Sequence, residues 1–176
     1  MAIIANLYID QGTDYTITVD VTDSAGDVLD LTGYTATAQG VFKIGATAGI
    51  AVSDAGDVAD WALGVDAYYM FEKEDAVINF GPTVGFRNFF MSVDGVDDAQ
   101  FLPIAGAARL KLFGILSGGV DVGYALGISD YLDGGFYYRP TVGIDIADTI
   151  EINASFEAIS DNANWGNFNV GILFEF

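Results

Sequence analysis

The chain has 176 residues, a formal net charge of −19 at neutral pH, and neither cysteine nor histidine. This composition excludes disulfide bonds, thiol chemistry, metal sites built from Cys or His, and every mechanism that uses imidazole as the base. So large an excess of acid repels phosphate backbones, so a nucleic-acid partner is not expected.

Residues 1–39 differ from the rest of the chain, because they contain six Asp and no Lys or Arg. Two or three short strands are predicted there, with a turn at "DSAGD". The stretches "NLYIDQGTDYT" and "LDLTGYTA" resemble the N-terminal β-module of some tailed-phage structural proteins. The start lacks the positive and apolar regions of a signal peptide. We therefore expect residues 1–39 to form an N-terminal β extension or fused module, and residues 40–176 to form a separate domain.

From Gly40 onward the sequence consists of segments in which apolar residues alternate with polar or small ones. This period of two is that of a β-strand, whose successive side chains point to opposite faces. Most segments have 10 to 14 residues, whereas strands of soluble proteins average about 5–6 and a tilted strand crosses a bilayer in about 9–11. The eight predicted strands are 41–53, 61–72, 77–90, 101–113, 117–129, 135–147, 151–160 and 166–176.

The connections between these segments also alternate in length. Tight turns are predicted at 73–76, 114–116 and 148–150. The other connections are longer and rich in Asp, Gly and Asn, at 54–60, 93–100, 130–134 and 161–165. Short turns at one end and longer loops at the other are typical of membrane barrels, so the fold class is an all-β, eight-stranded, antiparallel up-and-down barrel.

The two faces of the predicted strands differ in kind. One face is apolar and has no charged residue in any strand core, whereas the other carries most of the basic residues together with ten glycines. Long charged side chains fit inside an eight-stranded barrel only beside very small neighbours, so we predict a polar, filled lumen and a lipid-facing apolar exterior. In the opposite arrangement, a soluble barrel with its apolar face inside, the glycines would lie on the outer face. That face does not need ten glycines, which weaken strands. The predicted lumen charge network comprises Lys43, Asp66, Arg87, Arg109, Lys111, Asp121, Arg139, Asp145, Glu157 and Glu175.

Arg139 is predicted to be the hub of this network. It faces inward on the sixth strand, and the neighbouring strands present three acids on the same face, Asp121, Glu151 and Glu157. A guanidinium engages two carboxylates through a planar fork, which Lys cannot match. The expected role is structural, since buried charges must be paired.

The last strand, "GNFNVGILFEF", ends on an outward-facing Phe176. Together with "FLPIAGAARLKLFGILSGGVDVGYALGI" and "GGFYYRPTVGIDIADTIEINASFEAIS", it resembles the small outer-membrane β-barrels of Bacteroidetes-type bacteria over residues 40–176. The resemblance implies an eight-stranded barrel in the bacterial outer membrane, with the lipid bilayer and the barrel-insertion machinery as partners. It also implies that Phe176 is a C-terminal insertion signal.

Candidate chemistry is sparse along the chain. The Asp-rich loops, with Asp54, Asp57 and Asp60 in one and Asp94, Asp97 and Asp98 in another, lack the spacing of a calcium loop. Glu157 and Glu175 face a packed interior without a cleft. We therefore predict a protein that is not an enzyme and has no cofactor or metal. Two functional classes stay open, an outer-membrane barrel with a structural or loop-mediated protein-binding role and no large open pore, and a phage or virion structural protein with a soluble β-rich fold.

Overall fold

A computed structural model describes residues 39–72, 77–112, 114–147, 149–160 and 162–176. The predicted N-terminal extension, with its phage-like stretches, lies almost wholly outside these ranges. No helix in the described ranges is long and apolar enough to cross a membrane.

The described residues form eight strands and one short 3-10 turn at Asp54–Asp57. Each strand alternates buried and exposed residues along most of its length, as the sequence pattern predicts. The strands are β1 Gln39–Ser53, β2 Ala59–Glu72, β3 Ile78–Met91, β4 Ala99–Leu112, β5 Leu116–Gly127, β6 Gly134–Ala147, β7 Ile150–Ser160 and β8 Asn164–Glu175.

The sheet is a closed barrel in which each strand pairs antiparallel with its neighbours in sequence. Closure is made by β1 and β8, which pair from Lys43 opposite Glu175 to Ser53 opposite Trp165. Closure removes the two open edges that a flat eight-stranded sheet would expose. The predicted eight-stranded antiparallel up-and-down barrel is therefore confirmed.

The two ends of the barrel differ. The end that we call the turn end holds the connections after β2, β4 and β6, which have five, three and two residues, together with Phe176. The opposite end, the loop end, holds the connections after β1, β3, β5 and β7, which have five, seven, six and three residues. The predicted loop at 161–165 is shorter than expected, because β8 begins at Asn164. The loop after β3 is seven residues long and contains three of the Asp residues noted in the sequence.

The outward face is apolar. Val142, Val170 and Phe80 are each more than 60% exposed, and comparable side chains line the exterior of all eight strands. The buried side of the same strands carries charged and polar residues. This inside-out distribution is that of a membrane barrel and the reverse of a soluble protein.

The interior is not polar throughout, which the sequence analysis did not foresee. At the loop end Phe89, Phe101 and Trp165 pack together inside the barrel, with ring centroids 5.3 to 6.1 Å apart. Ile159 and Tyr137 extend this apolar packing. We call Phe89, Phe101 and Trp165 the aromatic cluster. It lies between the charged middle of the lumen and the connections at the loop end.

Candidate functional site

The middle of the lumen contains three arginines and three carboxylates, contributed by six consecutive strands from β2 to β7. Their formal charges cancel. A neutral, internally paired set is the arrangement in which buried charges are tolerated. We call these residues, Asp66, Arg87, Arg109, Asp121, Arg139 and Glu157, the central network.

Arg87 is fully enclosed and uses all of its nitrogen atoms. Its Nε donates to Glu157 at 2.6 Å, and its Nη2 donates to Asp66 at 2.8 Å. Nη1 donates to the carbonyl oxygens of Val65 and Phe86 at 3.1 and 3.0 Å. The planar fork thus joins acids from β2 and β7, which are not adjacent in the sheet.

Arg139 also connects distant strands. Its Nη1 lies 2.7 Å from Asp66 Oδ2, and its Nε lies 3.2 Å from Asp121 Oδ2. A longer contact of 3.9 Å reaches Glu157. Glu151, proposed from the sequence as a partner, instead accepts hydrogen bonds from Ser117 and Asn153.

Asp66 was not foreseen as a partner of Arg139, because it lies across the lumen on β2 rather than on a neighbouring strand. Sequence reasoning pairs residues through strand adjacency and cannot see contacts across the barrel. The prediction of Glu151 was wrong for a related reason. Strand adjacency does not give the height along the barrel axis, and Glu151 faces Asp145 near the turn end.

Two tyrosines complete the network, and the sequence analysis missed both. The Tyr68 hydroxyl donates to Asp121 at 3.1 Å and accepts a hydrogen bond from Arg139. The guanidinium of Arg109 lies 5.1 Å from the centre of the Tyr68 ring and 2.6 Å from Asp121. Tyr137 donates to Glu157 at 3.1 Å. The sequence did contain a signal for both tyrosines, because each occupies an inward-facing position in the alternation of its strand.

Glycines make room for these side chains. A methyl group added at Gly64 would lie 2.8 Å from Arg87 Nη1 and 2.9 Å from its Cδ. One added at Gly85 would lie 2.9 Å from the same Nη1 and would collide with Asp66. Neither charged residue could then keep its place, so glycine at both positions is a steric requirement of the network.

The other predicted charges lie apart from the central network, near the turn end. Lys43 bridges Glu72 and Glu175 at 2.9 Å each. Lys111 and Asp145 form no ion pair within 4.0 Å with any residue in the described ranges. We call Lys43, Glu72, Lys111, Asp145, Glu151 and Glu175 the turn-end group.

The acidic loops are tied together by hydrogen bonds. The Ser129 hydroxyl donates to the Asp98 carbonyl oxygen at 2.8 Å, and the Tyr131 hydroxyl donates to that of Asp97 at 2.7 Å. Burial raises the pKa of Tyr131, and the charges of Asp97 and Asp98 add to the rise. Across the described residues no three acidic side chains come close enough to hold a metal ion.

This geometry is suited to structural pairing. Glu157 is held by Arg87 and Tyr137, and Glu175 is held by Lys43. The two carboxylates that the sequence analysis weighed for acid–base work therefore belong to separate groups and share no site. Each acid of the central network already contacts at least one guanidinium.

Several solved structures share this fold. Outer membrane protein Ail of Yersinia pestis, in a phospholipid bilayer nanodisc, matches with a TM-score of 0.54 and 17% identity, over 78% of this chain and all of that one. Neisserial surface protein A matches with a TM-score of 0.50 and 12% identity, over 80% of this chain and all of that one. A de novo designed transmembrane β-barrel matches with a TM-score of 0.52 and 10% identity, over 80% of this chain and all of that one. No family model and no curated protein sequence matches the chain.

These comparisons establish the fold alone, because every identity is low. The chain has the architecture of small eight-stranded outer-membrane barrels. The solved structures of Ail and of Neisserial surface protein A match 78–80% of this chain and 97–100% of their own. The barrel of this chain therefore corresponds to nearly the whole length of each of those chains.

Proposed function

We propose that the chain is a non-enzymatic outer-membrane β-barrel that acts in the envelope as a structural element or through its loops. The observation that carries this proposal is that one closed barrel has both an apolar, exposed exterior and a neutral charge network inside. In water such an exterior would drive aggregation, whereas in lipid it is the stable arrangement. The narrower kinship with barrels of Bacteroidetes-type bacteria, and the role of Phe176 as an insertion signal, belong to the same proposal.

The barrel has no large open pore. Arg87 and Glu157 are fully inaccessible to solvent and lie in the middle of the lumen. The aromatic cluster adds a second, apolar obstruction nearer the loop end. An eight-stranded barrel is narrow enough for side chains to fill, so ions have no continuous aqueous path.

Conductance in planar bilayers tests this proposal directly. We expect no stable channel from protein whose folded state is verified by the mobility shift between unboiled and boiled samples on a gel. A steady ohmic channel of porin size would contradict the proposal. The variant Phe168→Ala, which shortens a lipid-facing side chain on β8, serves as a control and should also remain silent.

The exposed loops are the surfaces through which a partner would be recognised. They carry Asp54, Asp57, Asp94, Asp97 and Asp130, and the loop-end connections contain neither Lys nor Arg. The virion alternative requires a protein-covered exterior, and the exposed apolar face disfavours it. Detergent dependence separates the two, because a membrane barrel requires detergent or lipid to stay in solution.

A further inference from the structure

The connections after β3 and β5 lie on either side of a cleft of about 620 Å³ at the loop end. We call this space the loop-end cleft. Pockets of about 300–1,000 Å³ take ligands of the size of a few amino-acid side chains. The lining combines apolar and acidic side chains with one serine, and the residues used below are Val96, Asp97, Ile128, Ser129, Asp130 and Tyr131.

Hydrogen bonds between the two connections hold the loop-end cleft in shape. The Tyr131 hydroxyl donates to the carbonyl oxygen of Asp97 at 2.7 Å, and the Ser129 hydroxyl donates to that of Asp98 at 2.8 Å. The Asp98 carboxylate in turn accepts a hydrogen bond from the backbone N–H of Met91 at 3.2 Å. The cleft is therefore formed before any partner arrives, which lowers the entropic cost of binding.

Apolar side chains of the loop-end cleft are open to solvent. Val96 is 42% exposed, Ile128 47% and Tyr131 48%. Val96 and Tyr131 belong to connections rather than to strands, so the lipid-facing side of the strands does not account for their exposure. Grouped apolar side chains at a surface mark interaction sites, and tyrosine is enriched among the residues that dominate binding.

The acids of the loop-end cleft are not neutralised by the protein. Asp97 and Asp130 form no ion pair within 4.0 Å with any residue that the structure describes, and the loop-end connections contain neither Lys nor Arg. Their negative potential repels nucleic acids, anionic lipid headgroups and a second copy of this acidic chain. The complementary partner carries positive charge together with apolar surface.

We propose that the loop-end cleft is a docking site for an arginine-bearing segment of a protein partner, an inference that rests on the proposed loop-mediated role. One guanidinium stacks on the ring of Tyr131, and the carboxylates of Asp97 and Asp130 accept its N–H groups. Apolar parts of the segment cover Val96 and Ile128. Arginine is preferred over lysine, because an ammonium is a compact point charge that lacks the planar face for stacking.

The probe is fluorescently labelled hexa-arginine, with hexalysine as a peptide of the same charge. Each is titrated with the full chain folded in a zwitterionic detergent, and binding is followed by fluorescence anisotropy. We expect saturable binding, with hexa-arginine about threefold tighter than hexalysine.

Three results would overturn the proposal. They are no saturable binding of hexa-arginine to a barrel whose gel mobility shows that it is folded, equal affinity for the two peptides, and dimerisation of the chain through the cleft in analytical ultracentrifugation. Each leaves the proposed outer-membrane role standing, because bilayer conductance and detergent dependence test that role separately.

Variants locate the site. Asp97→Asn with Asp130→Asn should weaken hexa-arginine binding about tenfold, and Tyr131→Leu should abolish the preference for arginine over lysine. The matched control is Asp57→Asn with Asp60→Asn, which removes two exposed acids elsewhere at the loop end and should weaken binding less than about threefold. Equal losses in the two double variants, or an unchanged preference in Tyr131→Leu, would show non-specific attraction and refute the site.

Discussion

Arg139 links two acids from different sides of the lumen. Without it, Asp66 keeps only Arg87 and Asp121 keeps only Arg109, so three carboxylates share two guanidinium groups in a dry interior. We expect Arg139→Met to lower the free energy of unfolding in detergent by about 3–5 kcal/mol, because the buried network is left with one uncompensated negative charge. Arg139→Lys should recover part of the loss, since one ammonium cannot reproduce the planar fork. Denaturant titration followed by gel mobility measures both effects.

The control for Arg139 is Lys111→Met, which removes a cation from an exposed position near the turn end. It should cost less than about 1 kcal/mol, because Lys111 is exposed and forms no ion pair with any residue in the described ranges. The double variant Asp66→Asn with Arg139→Met should lose less stability than the sum of the single changes. Additive losses, or equal losses at Lys111 and Arg139, would show that Arg139 is not a hub.

At this scale the sequence revealed which side chains face inward, but not which of them meet. The inward position of Arg87, Arg139 and Asp66 follows from alternation within each strand. Contacts between Arg139 on β6 and Asp66 on β2 depend on barrel diameter and strand stagger, which no local pattern encodes. The tyrosines that complete the network were overlooked because their rings look apolar in a pattern search.

At the scale of the strand, glycines on the same barrel serve different needs. The position of Gly64 is crowded by Arg87, which is pinned by two carboxylates and cannot withdraw. Gly118 has nothing within 4 Å of the position that a methyl group would take. Gly64→Ala should therefore destabilise the barrel by about 1–3 kcal/mol. Gly118→Ala should be neutral or stabilising by up to about 1 kcal/mol.

Unfolding midpoints of these two variants under the same conditions give the comparison. The same backbone change is made in both, so any general effect of alanine on strand propensity cancels. Equal midpoints would show that inward glycines are not needed for packing around the charges.

Trp165 tests the aromatic cluster, the element that the sequence analysis did not predict. Its ring lies 5.3 Å from Phe89 and 5.6 Å from Phe101 inside the barrel. Trp165→Ala should cost about 3–5 kcal/mol through the cavity that it leaves. Trp61 is half-exposed and stacks on Phe90, so Trp61→Ala should cost clearly less. The reverse order of midpoints would place the stabilising aromatic packing on the outer face.

The existence of this cluster was readable in part from the sequence. Phe89 is two residues after Arg87 and therefore points to the same inward face of its strand. Phe101 and Trp165 likewise lie on the inward faces of their strands. What the pattern could not give is their common height, which depends on the stagger between strands that are distant in sequence. Strand existence and facing were thus predictable from local alternation, whereas the layering of the lumen was not.

At the scale of the whole molecule, we expect the apolar face of the barrel to meet lipid and the charged face to be enclosed. The chain has no cysteine, so single cysteines can be introduced without background labelling. Val142 and Phe174 lie on the outward face, and Val142 is 66% exposed. Asp121 and Asn169 lie on the inward face and are buried.

The most direct measurement is labelling of these four single-cysteine variants, folded in lipid vesicles, with a lipid-soluble thiol reagent. Val142→Cys and Phe174→Cys should react, whereas Asn169→Cys should not. Asp121→Cys disturbs the central network, so it is scored only if its gel mobility shows a folded barrel. Reaction at Asn169→Cys with protection of Val142→Cys and Phe174→Cys would contradict the membrane barrel altogether.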